Sequence, residues 1–183
     1  MPADTKGRCF RMYTFDTLYN QKAMTAMAKA LRKTIRKKHS RKSHIYGWIV
    51  IIFGLFLSVS GLLQNGFSGS TVITWIAILA ILAVTFFEDS INGWIALRRI
   101  LAGSERANTV FSDEGFVSVT ELGKTEWNYD KIMLIADLPA YVVFIFSKNH
   151  AQVYDKATLT GGSVEEFLTF LTEKTGKEIH SVR

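Results

Sequence analysis

Two apolar runs decide how this chain folds: Ile45 to Leu63, IYGWIVIIFGLFLSVSGLL, and Thr71 to Phe87, TVITWIAILAILAVTFF, joined by Gln64 to Ser70, QNGFSGS. At a helical rise of about 1.5 Å per residue the first run is roughly 28 Å long, close to the ~30 Å hydrocarbon core of a bilayer. No Asp, Glu, Lys or Arg occurs from Ser43 to Phe87. A charge at the centre of a span costs about 2.5–3.5 kcal/mol, so this absence favours insertion. Short apolar runs also form buried helices in soluble cores, and period alone does not separate the two. Here both runs are apolar on every face, which predicts membrane spans at about 45–63 and 71–91, with Trp94 reaching the interface.

The Gly- and Ser-rich connection is uncharged and too short to cross back, so the spans form an antiparallel hairpin. Gly54, Ser58 and Gly61 on the first span, and Ala77, Ala80 and Ala83 on the second, are small enough to let the helices approach closely. Packing within the hairpin is the preferred reading of them, over formation of a homo-oligomer. Outward from the hairpin, Lys29, Arg32, Lys33, Arg36, Lys37, Lys38, Arg41 and Lys42 precede it, and Arg98, Arg99 and Arg106 follow it. By the positive-inside rule both termini are expected in the cytoplasm, and the same cations, Arg98 and Arg99 included, are candidates for binding anionic lipid at the membrane surface. Tyr46, Trp48 and Trp94 fall at the expected inner interface and Trp75 near the outer one, where aromatic anchors belong.

Charge is unevenly spread. Residues 1–44 carry twelve Lys or Arg against Asp4 and Asp16, residues 45–102 balance, and residues 103–183 carry eight basic against twelve acidic groups. The sequence pI of about 9.5 therefore belongs to the N-terminal segment. With no base-reading or stacking motif in that segment, a nucleic-acid partner is not expected. Some 44 mostly polar residues precede the first apolar run, so the pattern of a cleavable signal peptide is absent. Cys9 is the single cysteine, which excludes an intrachain disulfide and a thiolate zinc site.

From Asp16 the sequence DTLYNQKAMTAMAKALRKTIRKKHSRK predicts a basic helix with Asp16 or Thr17 as N-cap and an apolar stripe of Met24, Met27, Ala28, Leu31 and Ile35. The stripe faces lipid or docks on the C-terminal domain. Past Arg106 the period becomes two. Strands are predicted at 108–112 and 116–121 about the Asp113, Glu114, Gly115 turn, then at 125–128, 131–136, 141–147 and 151–154. Ser163 with Glu166 is a capping box opening an amphipathic helix with Val164, Phe167, Leu168 and Leu171 on one face. The fold class is thus an α+β membrane protein in three parts: a basic cytoplasmic segment (1–44), a transmembrane hairpin (45–102), and a small antiparallel β domain closed by a helix (103–183).

Certain motifs carry a family likeness: the basic stretch before a two-span hairpin, the Phe111, Asp113, Glu114, Gly115 turn, the Trp127, Asp130, Lys131, Ile132 segment, the Asp155, Lys156 pair, and the Gly162, Glu165, Glu166, Phe167, Leu168 helix start. Over roughly residues 30–173 the chain resembles the YcxB-like family of bacterial membrane proteins, in which Pro-Lys often stands where this chain has Asp155 and Lys156. The resemblance implies a pleckstrin-homology-like C-terminal domain and a bacterial inner-membrane location, and implies no established reaction.

Catalytic chemistry is sparse. His39, His44, His150 and His180 are dispersed, and no phosphate loop, nucleophile elbow or zinc-protease helix occurs. Glu88 and Asp89, the only acids beside the spans, suit a hydrated helix end better than an intramembrane cation or proton site. Trp127 suits a sheet anchor better than a ligand-stacking group. The acidic C-terminal surface could contact the basic N-terminal helix electrostatically. The expectation is a non-enzymatic module without cofactor or metal, binding a protein, peptide or lipid headgroup at the membrane. An immunity protein against a membrane-active toxin, or a subunit of an oligomeric transporter or channel, are the alternatives.

Overall fold

The computed structural model describes residues 12–66 and 68–183. Cys9 and Asp4, singled out in the sequence, lie outside them.

The chain opens not with a helix but with a strand, β1 (Tyr13–Leu18), whose buried Tyr13, Phe15 and Thr17 alternate with more open Thr14, Asp16 and Leu18. Asp16 and Thr17 are therefore strand residues rather than helix caps. The helix α1 (Gln21–Lys33) starts later, at Asn20, whose side chain accepts a hydrogen bond from Ala23 N at 3.0 Å. After a break at Thr34–Arg36 the chain enters α2 (Lys37–Asn65), turns, and returns as α3 (Gly69–Phe86). The ladder breaks at Phe87, at φ −102° and ψ 19°, and a separate helix α4 (Glu88–Leu97) begins. The expected second span to residue 91 is thus two helices, because Glu88 and Asp89 are drawn aside to polar partners.

In the hairpin, Trp48 meets Phe86 edge-on at 6.4 Å, and a Cβ on Gly54 would lie 3.2 Å from Ile78. A Cβ on Gly47 would lie 3.3 Å from Thr85 Oγ1. The order of these contacts makes the helices antiparallel. Gly54 acts as expected of a small interface residue, whereas Gly61 has open space where a Cβ would stand.

After α4 come β2 (Arg106–Phe111), β3 (Phe116–Thr120) and β4 (Gly123–Trp127), then β5 (Leu134–Asp137), β6 (Tyr141–Ser147) and β7 (His150–Asp155). The helix α5 (Val164–Thr175) and the short β8 (Ile179–Ser181) complete the chain. One sheet has the order β1-β2-β3-β4 and the other β7-β6-β5-β8. Neighbours are antiparallel except β8, which runs parallel to β5. Residues 131–136, expected as one strand, split into a tight turn at Tyr129–Lys131 and β5, since Tyr129 is turned inward to donate its hydroxyl to Ser112 O at 2.7 Å.

Between the sheets lies an aromatic core. Phe15, Phe111, Phe116, Phe144, Tyr154 and Phe167 are each at most 1% exposed, and Phe15 and Phe167 rings approach to 4.8 Å. α5 closes the open end, fixed by the expected capping box: Ser163 Oγ accepts from Glu166 N, and Ser163 N donates to Glu166 Oε2. The second sheet is buried on both faces. Its inner face gives Ile135, Val142 and Phe144 to the aromatic core, and its outer face gives Ala136, Val143, Ile145 and Val153 to α1. Alanines 23, 26 and 30 recur at three- and four-residue spacing and let α1 lie close on that face. Of the expected stripe, Met24 and Leu31 are buried with these alanines, while Met27 and, beyond the helix, Ile35 lie at the rim.

β1 precedes the hairpin but pairs with β2 beyond it, from Tyr13↔Phe111 to Leu18↔Arg106. The expected boundaries at 44 and 103 therefore cut through a sheet: residues 13–18 and 21–33 are built into the β domain.

Candidate functional site

Three helices meet at the base of the hairpin in a polar knot. Arg32 of α1 forks onto Asp89 of α4, with Nε to Oδ1 and Nη2 to Oδ2 both 2.6 Å. Glu88 Oε2 lies 3.8 Å from Arg32 Nε, 2.7 Å from His44 Nε2 and 3.2 Å from Ser40 Oγ. The Asp89 carboxylate holds the Arg32 guanidinium above its ordinary pKa, chiefly through that hydrogen-bonded fork. Fork-shaped pairs fix orientation as well as energy, so the knot sets the angle between α1 and the hairpin. Both acids are consumed as helix connectors. Among the described residues no group of three or more His, Cys, Asp or Glu could hold a metal ion.

The cations proposed from sequence separate into two sets. Arg32 is engaged in the knot, and Arg36 donates to Lys148 O at 2.8 Å and to Asn149 Oδ1 at 2.8 Å, clasping the β6–β7 turn. These two are structural rather than free for lipid. Lys29 is half-buried in a shallow groove of about 480 Å³ between α1, α4 and the β5–β6 turn. Lys33, Lys37, Lys38, Arg41, Lys42, Arg98 and Arg99 are exposed, and among the described residues none of them enters an ion pair. Lys37, Lys38, Arg41 and Lys42 fall on one arc of α2, since helical neighbours recur at three and four residues. This arc continues directly into the apolar run. Arg98 lies over the Trp94 ring at 3.8 Å.

The aromatic anchors point outward: Tyr46 is 68% exposed, Trp48 46%, Trp75 37% and Trp94 47%. The long helices share this exposure. Each of α2 and α3 contains an apolar 18-residue window of which only 11% is buried, unlike a soluble core helix. Trp127 is a sheet anchor, stacked on Phe146 at 4.7 Å with His150 at 5.5 Å. The expected electrostatic contact between the acidic domain and the basic helix is not what docks α1. Its contacts with the second sheet are apolar, and Arg32 pairs with acids of α4 instead.

Sequence reasoning missed the knot and the clasp of Arg36, because their partners are far apart in the chain: 57 residues for Arg32 and Asp89, 112 for Arg36 and Lys148. A usable signal was present. Adjacent acids at the end of an otherwise uncharged apolar run call for polar or cationic partners.

No family model matches the chain, and no curated protein or solved structure matches it.

Proposed function

We propose that the chain is a membrane-anchored, non-enzymatic binding module: α2 and α3 cross the cytoplasmic membrane of a bacterium, both termini stay inside, and the β domain is held at the membrane surface to bind a protein, peptide or lipid headgroup. The observation that carries this reading is the nearly unburied apolar surface of α2 and α3 beside an unpaired cationic arc. Lipid tails satisfy the first and anionic headgroups the second, each exposed Lys or Arg there being worth about 1 kcal/mol. Two sheets packed at an aromatic core with one closing helix also suit the pleckstrin-homology-like domain of the YcxB-like family. On that reading the domain is an adaptor, and its ligand is a separate matter from its fold.

The test uses the full chain in cells, with Cys9 replaced by serine and single cysteines at Ser68 or Thr169. A membrane-impermeant maleimide should label position 68 in intact cells and position 169 only after lysis. Labelling of both, or of position 169 alone, in intact cells would reject the topology. Release from the membrane by alkaline carbonate would reject the spans.

A further inference from the structure

Helix α4 carries two unlike faces. One packs on α1: Gly93 is buried against Thr25, and Asp89 is bound to Arg32. Glu88 is turned aside to Ser40 and His44, so neither acid of this helix faces outward. On the opposite side, Phe87, Ile91, Trp94 and Ile95 are 61%, 36%, 47% and 37% exposed, at the three- and four-residue spacing of one stripe. Arg98 ends that stripe above Trp94, with exposed Arg99 beside it. Phe87, Ile91 and Trp94 line a shallow apolar recess with Gln21 and Ser90.

The break at Phe87 gives this stripe its meaning. An apolar helix that simply ran on from α3 would need no break. A helix lying along a bilayer surface needs one, together with an apolar face toward the acyl boundary, a cationic end among headgroups, and a face on protein for its polar groups. From these observations we propose that α4 is an interfacial helix, lying in the headgroup layer with Ile91, Trp94 and Ile95 toward the lipid, and that it acts as a second membrane contact bracing the β domain through α1. The occupant of the exposed stripe is lipid because the stripe adjoins the exposed apolar residues Val84 and Phe86 of α3 and ends in the cations Arg98 and Arg99. This inference rests on the membrane reading above and adds a surface to it.

Spin labels on single cysteines in the full chain, on the Cys9→Ser background and reconstituted in phosphatidylcholine–phosphatidylglycerol vesicles, test it. Ile95→Cys probes the stripe, Leu79→Cys the span and Lys124→Cys the aqueous side. The label at position 95 should collide with dioxygen readily and with a water-soluble nickel chelate several-fold less than the label at position 124, at a depth shallower than position 79. Nickel access equal to that at position 124, with position 79 still in lipid, overturns the interfacial helix and leaves the spans standing. Low access to both reagents means that protein covers the stripe, which also overturns it. Nickel access at position 79 would remove the membrane reading itself.

Discussion

At Gly93 the backbones of α4 and α1 come so near that a Cβ would sit 2.6 Å from Thr25 N and 2.8 Å from Thr25 Cα. On helix propensity alone, alanine would be favoured there by roughly 1 kcal/mol. The neighbour is backbone and cannot swing aside, so overpacking decides the sign. Gly93→Ala should destabilise the detergent-solubilised protein by about 1–3 kcal/mol in thermal unfolding, and a neutral or raised melting temperature would contradict the close crossing. A second residue-scale effect concerns Tyr19, which packs against the α1 cluster and whose hydroxyl burial pushes up to about 12. Because the folded value exceeds the ordinary one of 10.0, the unfolded chain releases this proton first as pH rises. Its contribution is complete below pH 10 and drains away between pH 10 and about pH 12. Tyr19→Phe should therefore lose less stability than the wild type across that window, and parallel curves would show that the hydroxyl is solvated.

Which elements could be read from the chain depended on whether their causes are local. The two long helices, candidate membrane spans, were legible because each run is apolar on every face, a property visible within the run itself. The α5 start was legible because Ser163 and Glu166 satisfy each other three residues apart. β1 was not, since its alternation of Tyr13, Phe15 and Thr17 is short, precedes a strong helical sequence, and is stabilised by a partner strand on the far side of the hairpin. The knot of Arg32, Glu88 and Asp89 is tertiary in the same sense. Its strength can be measured with a double-mutant cycle of Arg32→Met and Asp89→Asn. The two side chains are 24% and 17% exposed, between the surface and buried regimes. Charge-assisted hydrogen bonds in such settings contribute about 1.5–3 kcal/mol, and surface pairs about 0.2–1 kcal/mol. A coupling of roughly 1–2 kcal/mol is expected for a pair that orients α1 against α4, while one near zero would make it a surface contact.

For the whole molecule, the interleaving of β1 and α1 with the β domain means that the apolar helical hairpin is an insertion within the domain rather than an appendage at its edge. Both ends of the insertion are tied to it: Arg36 donates to Lys148 O and Asn149 Oδ1 of the β6–β7 turn, while Arg106 pairs with Leu18 and Glu105 O accepts from Tyr19 N at 2.7 Å. The domain therefore does not hang from the hairpin on a free linker. It also cannot be excised at residue 103. Such a fragment lacks Tyr13 and Phe15 from the aromatic core, leaves the β2 edge unpaired, and uncovers the apolar outer face of the second sheet. Removing one large aromatic from a core costs about 3–5 kcal/mol, and two approach the 5–15 kcal/mol that holds an average domain folded. Residues 103–183 alone should therefore be unfolded or aggregated by circular dichroism and amide exchange. Residues 12–33 fused through a flexible Gly-Ser linker to residues 103–183 should recover a cooperative transition. A cooperatively folded 103–183 fragment would show that β1 and α1 decorate the domain instead of completing it.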